Sequence, residues 1–234
     1  MATKKFALHN SYFKVSRMNG LPDTMIEIAE YLKEHGELPF RYDGNNWVYD
    51  AFVERQKYRG VANSQYLTPD ATADRMMHFA GKYFTENNVL EPCCGTGQIT
   101  KELLKDGYNV ITFDNDKDLC EVAIKTLDLF GKSNCTVLSL DFKNYEQEDT
   151  HRNQIIANPP YEIAELTNFL EWIAEIQNCG GISILLMPKG FINKDKPKRT
   201  FNVLRKFGVL EVEDMQEEFA RTKTRAEIVV LKKL

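Results

Sequence analysis

Cysteine is scarce in this sequence and follows no pattern. Five occur in 234 residues: Cys93, Cys94, Cys120, Cys135 and Cys179. Their number is odd and no two form a C-x-x-C pair, so neither a disulfide framework nor a zinc site is expected. No apolar run reaches roughly 18 residues, so no membrane-spanning helix is expected. The first ten residues carry Lys4 and Lys5 but no apolar core of signal-peptide length, and a cytoplasmic protein is expected. Internal repeats and low-complexity tracts are absent. The formal net charge is only −4, from 30 basic and 34 acidic residues. That balance argues against a general nucleic-acid coat, so charge has to be read locally. What is present is ordinary globular material, 43% apolar and 27% charged. It suits one domain of usual size with a small appendage.

Residues 1–60 read as a separate helical extension. Asp23 is placed to cap a helix through Met25, Ile26, Ile28, Ala29 and Leu32, ending near Gly36. Trp47, Tyr49, Phe52 and Val53 suggest a second packed helix. A further helix begins near Pro69 and Asp70, with Ala73, Met76, Met77 and Ala80 on one face. From about residue 88 strands and helices alternate. Strands are expected at Asn88–Glu91, Val110–Phe113, Thr136–Leu140, Gln154–Ala157, Ile182–Met187, Val209–Met215 and Ala226–Leu231. Helices are expected at Ile99–Lys105, Lys117–Leu129, Ala164–Ile176 and Phe201–Phe207. Repeated strand–helix units imply a mostly parallel seven-stranded sheet with helices on both faces. The almost wholly apolar Ile182–Met187 run is a central strand. The last two strands form an antiparallel hairpin.

The chemistry gathers where strands end. Glu91-Pro-Cys-Cys-Gly95-Thr-Gly97-Gln follows one strand and opens a helix. Glycines at such a turn let a ligand approach the backbone, and the helix start offers free N–H groups. The third glycine of the dinucleotide fingerprint is replaced by Thr100, which disfavours a pyrophosphate site. Glu91 suits a cationic ligand better than a phosphate. The next strand ends at Asp114, about 20 residues on, where a carboxylate can accept both hydroxyls of a ribose. The strand after that runs into Asp141-Phe142, an acid and a ring able to bind an adenine amino group and its edge.

The fourth strand breaks into Asn158-Pro159-Pro160-Tyr161. Two prolines fix φ at successive residues and remove two backbone donors. The segment is stiff, and its carbonyl and the Asn158 amide can point outside the sheet. An amide oxygen and a fixed carbonyl can accept both hydrogens of an exocyclic NH2 while a ring stacks on the attached plane. Such acceptors also stabilise positive charge developing on that nitrogen. Two basic stretches flank this rim. One holds Lys189, Lys194, Lys196, Lys198, Arg199, Arg205 and Lys206, with Asp195 as its only acid. The other is Arg221-Thr222-Lys223-Thr224-Arg225. Both suit contact with a phosphate backbone.

Together these segments resemble the class I S-adenosylmethionine-dependent methyltransferases. Among those they are most similar to the N6-adenine DNA methyltransferases. Gln65-Tyr66-Leu67-Thr68-Pro69 adds a likeness to the modification subunits of type I restriction systems, where a similar Tyr-x-Thr-Pro segment closes over the cofactor. The resemblance covers about residues 61–234, the expected catalytic domain, and implies a Rossmann-like methyltransferase fold. It implies S-adenosylmethionine as cofactor, with Glu91, Cys93, Gly95 and Gly97 around its methionine part. Asp114 would hold the ribose, and Asp141 and Phe142 the adenine. Tyr66, Thr68 and Pro69 would complete the pocket beside Asn158. Asn158, Pro159, Pro160 and Tyr161 would hold the target amine of a flipped DNA adenine. Lys189, Lys196, Lys198, Arg199, Arg221, Lys223 and Arg225 would touch nucleic acid. No metal is implied. Only a short loop and helix separate Asn158 from the late strands, and the Lys189–Thr200 loop is brief, so a separate specificity subunit, low intrinsic specificity, or recognition by residues 1–60 and the basic loops is expected in place of a target-recognition insert. The same motif also serves transfer to adenine in RNA or to a protein glutamine amide. A non-catalytic cofactor-binding subunit is a further alternative.

Overall fold

The computed structural model describes residues 68–234 except 129–133, 147–149, 194 and 219–224. The expected helical extension at 1–60, Tyr66, Arg221 and Lys223 lie outside the described residues. Helix α1 (Asp70–Tyr83) starts after Pro69, whose φ of −59° suits a helix entry, and stops where Phe84 turns extended. Then follow β1 (Asn88–Pro92), α2 (Gln98–Lys105), β2 (Asn109–Asp114), α3 (Lys117–Asp128) and β3 (Cys135–Ser139). After a short 3-10 turn at Phe142–Asn144 come β4 (Gln154–Ala157), α4 (Ile163–Ile176) and β5 (Ile182–Pro188). The chain finishes with α5 (Lys198–Leu204), β6 (Phe207–Glu218) and β7 (Arg225–Lys233).

The seven strands form one sheet in the order β3-β2-β1-β4-β5-β7-β6. The first five are parallel, and β6 and β7 form the antiparallel hairpin at one edge. This is a doubly wound, Rossmann-like arrangement. One face of the sheet packs under α4 and α5, with Leu90, Ile155, Leu185, Val229, Phe169 and Ile173 in its core. The other face packs under α1 and α2, with Val89, Ile156, Ile184, Val230, Met76 and Leu103. Strand β4 is buried on both faces, yet it begins with Gln154. That amide is satisfied by the loop before β1: Oε1 accepts from Thr85 N and Glu86 N, and Nε2 donates to Glu86 O and Asn88 O.

Two expected elements move most. The last helix runs over Lys198–Leu204 rather than Phe201–Phe207. Pro197 sets its start, and Phe207 is drawn into β6 by pairing with Lys233. Strand β6 is longer than its apolar run. Its Glu211 accepts from Lys82 and Tyr83, and Glu213 pairs with Arg75, so α1 holds the polar part of the strand in place. Inward-held charges also discourage a further strand from adding at this edge. Among the described residues no helix is long and apolar enough to cross a membrane.

Candidate active site

Strand β1 is followed on one side by β2 and β3, and β4 lies on its other side. The chain therefore reverses its direction of winding between β1 and β4, the point where open α/β sheets bind ligands. Leu90 pairs with Ile155, so Pro92 and Ala157 end level on neighbouring strands. Such strands lie about 4.8 Å apart. The glycine turn and Asn158 thus leave the same rim side by side. On the other flank Pro92 pairs with Phe113, which brings Asp114 alongside the turn. Asp114 in turn pairs with Ser139, just before Asp141.

The turn after β1 is built on left-handed backbone. Cys93, Gly95 and Gly97 have φ of 62°, 55° and 85°. Glycine adopts such angles freely, whereas Cys93 does so at a steric cost. Hydrogen bonds fix the shape. Cys94 N donates to Phe113 O at 3.0 Å, and Gly95 N donates to Asp114 Oδ2 at 3.0 Å. The other oxygen of Asp114 accepts from Asp116 N at 3.0 Å. Burial raises the Asp114 pKa, against the pull of those two N–H donors. Each carboxylate oxygen can accept a second bond, so Asp114 braces the turn and retains capacity for a hydroxyl pair.

Glu91 is turned inward beneath α2. It accepts from the Thr100 hydroxyl, while Thr112 Oγ1 donates to the Glu91 carbonyl at 2.9 Å and lies 3.3 Å from Oε2. Burial pushes its pKa up to about 8, with the two hydroxyls lowering it and Asp114 adding to the rise. Thr100, which stands where a third glycine was missing, thereby has a structural task. It was not recognised from sequence, although Thr112 faces Glu91 in register.

The Cys93 thiol is held well above its usual pKa, first by burial and then by Asp114, Asp141, Glu91 and Glu165. Asp114, Asp141 and Glu165 bring negative charge to this point and favour a cation there, while Glu91, kept protonated by its burial, adds little at neutral pH. Asp141 caps the 3-10 turn, accepting from Lys143 N at 3.0 Å. Phe142 lies largely in the core, edge-on to Phe169 at 5.2 Å, and leaves only a small part of its ring at the surface.

Across the rim, Asn158 Nδ2 donates to Thr68 Oγ1 at 3.2 Å, joining residues 90 positions apart. Thr68 and Pro69 are buried at the start of α1, while Asn158 and Pro160 are half-buried and Pro159 is buried. Tyr161 is half-buried too, and its ring packs against the core under α1. The basic residues are less uniform than their sequence suggests. Lys189 is paired with Asp214. Lys196 donates to Phe191 O. Arg199 is gripped by Glu171 and by Asn168 Oδ1 at 2.7 Å. Lys198 and Arg225 are exposed. Among the described residues no cluster of His, Cys, Asp and Glu could hold a metal ion.

A switch-point rim with a glycine turn and a braced acid on the next strand is the ligand-binding edge of a Rossmann-like sheet. Residues 89–181 match the family model described as a methyltransferase domain. Two curated relatives share the name Ribosomal RNA small subunit methyltransferase A. The one from Acaryochloris marina is 35% identical over 81 residues, 33% of this chain and 29% of that protein. The one from Mesomycoplasma hyopneumoniae is 31% identical over 110 residues, 43% and 41% respectively. The chain thus spans less than half the length of these relatives. A Listeria monocytogenes structure described as a class I S-adenosylmethionine-dependent methyltransferase superposes with a TM-score of 0.61. It is 17% identical, and the match covers 90% of this chain and 68% of that one. Magnesium protoporphyrin IX methyltransferase of Synechocystis with bound S-adenosylmethionine gives a TM-score of 0.57 at 15% identity. That match covers 93% of this chain and all of the other, at 100%. At these identities the structures establish a shared fold.

Proposed function

We propose that this chain transfers a methyl group from S-adenosylmethionine to the exocyclic amino group of adenine in RNA. The observation that carries the chemistry is the level exit of the glycine turn and of Asn158-Pro-Pro-Tyr from adjacent strands β1 and β4. RNA is preferred over the DNA expected from sequence because both curated relatives are named for ribosomal RNA. DNA adenine is the second reading. It draws support from Thr68, which lies against Asn158 on the rim where the likeness to modification subunits sets the cofactor pocket.

When bound, S-adenosylmethionine supplies an electrophilic methyl group on a sulfonium centre. The acid field around Cys93 suits that cation. Backbone groups of Cys93, Gly95 and Gly97 line the methionine end, with Glu91 beneath them. Asp114 accepts the ribose hydroxyls with its remaining lone pairs. Asp141 accepts from the cofactor's adenine amine, and the exposed part of Phe142 meets that ring. Pro69 walls the methionine end, with Tyr66 assigned to the same wall.

Asn158 Oδ1 and the Pro159 carbonyl accept the two N–H bonds of the target amine. Pro160 keeps that carbonyl fixed, and Tyr161 offers a ring face to the base. As the nitrogen gains positive charge, both acceptors stabilise it. Catalysis is mainly positioning, worth up to several powers of ten when the reacting atoms are held in line. Lys198, Arg225, Lys189, Lys196 and Arg199 contact the phosphate backbone, Lys189, Arg199 and any other that is held by a protein partner leaving it first. Arg221 and Lys223 are assigned to the same surface.

The test is incubation with tritiated cofactor and separate pools of deproteinised ribosomal RNA, duplex DNA and protein. Label in RNA supports the reading. Label in DNA alone supports the second reading, label in protein points to an amide substrate, and cofactor binding with no transfer points to a non-catalytic subunit.

A further inference from the structure

We propose that the outer face of α5 is a stacking platform for single-stranded RNA, with Phe201 as the side chain on which a base lies. The proposal rests on the RNA reading above and assigns a place to the nucleotides beside the target adenine. Thr200 and Val203 are the buried side of α5. Lys198, Phe201, Asn202 and Arg205 recur at i, i+3, i+4 and i+7 and so share the opposite face. Arg205 belongs to it because its φ of −65° and ψ of −12° continue the helix. All four are exposed, and Lys206 follows them, exposed too. Phe201 is 54% exposed. Among the described residues it is the only Phe, Tyr or Trp left in water to that degree. The Arg205 guanidinium lies over its ring at 5.9 Å, which steadies the ring and adds a second plane. Among the described residues neither Lys198 nor Arg205 is in an ion pair, so both charges are open to phosphate. A ring set between cations on one face has the makeup of single-strand binding surfaces, where bases stack on aromatic planes and phosphates meet Lys and Arg.

The fold puts this face within reach of the β4 exit. Helix α5 follows β5, the neighbour of β4. Thr200 and Thr167 share a hydrogen bond at 2.8 Å, and Thr167 Oγ1 donates to the Ile163 carbonyl at 2.6 Å. These bonds tie the start of α5 to the start of α4, two residues after Tyr161. Strands β5 and β6 both run antiparallel to β7, so α5 descends from the rim to reach the start of β6. Its outer face is about 10 Å long, enough for about three nucleotides.

The test titrates the full chain with oligoadenylate and, separately, with inorganic polyphosphate, which carries charge without bases. Phe201→Ala should lower the affinity for oligoadenylate about five- to tenfold, the low end for losing one base stack. Its affinity for polyphosphate should change less than about twofold, because no cation is removed. Phe201→Trp should restore oligoadenylate binding. Its added indole fluorescence, taken against wild type, should be quenched by oligoadenylate and not by polyphosphate. Lys198→Ala should weaken the binding of both polymers. Unchanged affinity for S-adenosylhomocysteine identifies the variants as folded.

Equal affinity of wild type and Phe201→Ala for oligoadenylate would overturn the proposal. So would an equal loss for polyphosphate, which would make the face purely electrostatic, or an indole signal that oligoadenylate leaves untouched. Self-association of wild type that Phe201→Ala abolishes, with RNA affinity unchanged, would give the face to a second copy of this chain and also overturn it. Binding of RNA through Phe201 by a protein that transfers no methyl group to RNA would sink the functional reading and leave the platform standing. Methyl transfer to RNA with binding independent of Phe201 would do the reverse.

Discussion

Glu91 gives the sharpest prediction about stability, because its burial makes folding depend on pH in an unusual direction. Its carboxyl lies beneath α2 at 1% exposure, with pKa pushed from 4.5 to about 8. Most buried acids that are well paired show the reverse. Here the folded protein binds a proton that the unfolded chain releases, so stability is greatest below pH 4.5 and declines as pH rises toward 8. Each pKa unit is worth about 1.4 kcal/mol, which sets a ceiling of about 5 kcal/mol for the whole interval. Between pH 5 and pH 8 the contribution lost is about 3 kcal/mol. Glu91→Gln keeps the shape and cannot ionise. The variant should match wild type near pH 5 and exceed it by about 3 kcal/mol at pH 8. For a chain of this size that is a melting-temperature gain of roughly 2–4 °C per kcal/mol. Burial also raises the Asp114 pKa in both proteins, so only its coupling to Glu91 enters the difference. The assay is thermal or urea unfolding of cofactor-free protein from pH 5 to pH 8. Parallel pH profiles for wild type and Glu91→Gln would refute the buried, protonated carboxyl.

Asp114→Ala removes both the brace on Gly95 and the acceptors assigned to the ribose. It should weaken S-adenosylhomocysteine binding at least tenfold by calorimetry. Gly97→Ala should lower stability by about 1–2 kcal/mol through its left-handed backbone, not through a clash. The added Cβ would meet Ala123 and Leu127 at an ordinary 3.5 Å. In RNA binding across a salt series, Lys198→Ala should reduce the slope of log affinity against log salt by about 0.7, the effect of one phosphate contact to a single strand. Lys189→Ala should reduce it less, because Lys189 must first leave Asp214.

The strand ends were legible because their chemistry is local. Gly95, Asp114, Asp141 and Asn158 each follow an apolar run, and a parallel sheet carries all such ends to one rim. The helical stripe Ala73, Met76, Met77 and Ala80 was readable for the same reason: its period alone places it on a face. Longer contacts were not. Nothing near Glu91 in sequence announces that Thr100 and Thr112 will enclose it. The β6 boundary depended on Arg75, Lys82 and Tyr83 from a helix more than 100 residues earlier, and an apolar pattern carries no trace of those bonds. The basic run from Lys189 to Lys206 looked like a uniform nucleic-acid surface, yet Asp214 and Glu171 engage two of its members. Phe142 read as a ring for the cofactor, and the structure spends most of it on Phe169 and Trp172.

The central claim is that the β1 turn and the β4 exit cooperate to methylate an adenine amine in RNA. Nucleoside mass spectrometry of RNA treated with wild-type protein and with Asn158→Ala tests it most directly. The account predicts adenosine methylated at its N6 amine from wild type. It predicts a loss of roughly two powers of ten in Asn158→Ala, while S-adenosylhomocysteine still binds that variant. Methyl groups on another nucleoside, or undiminished transfer by Asn158→Ala, would contradict it.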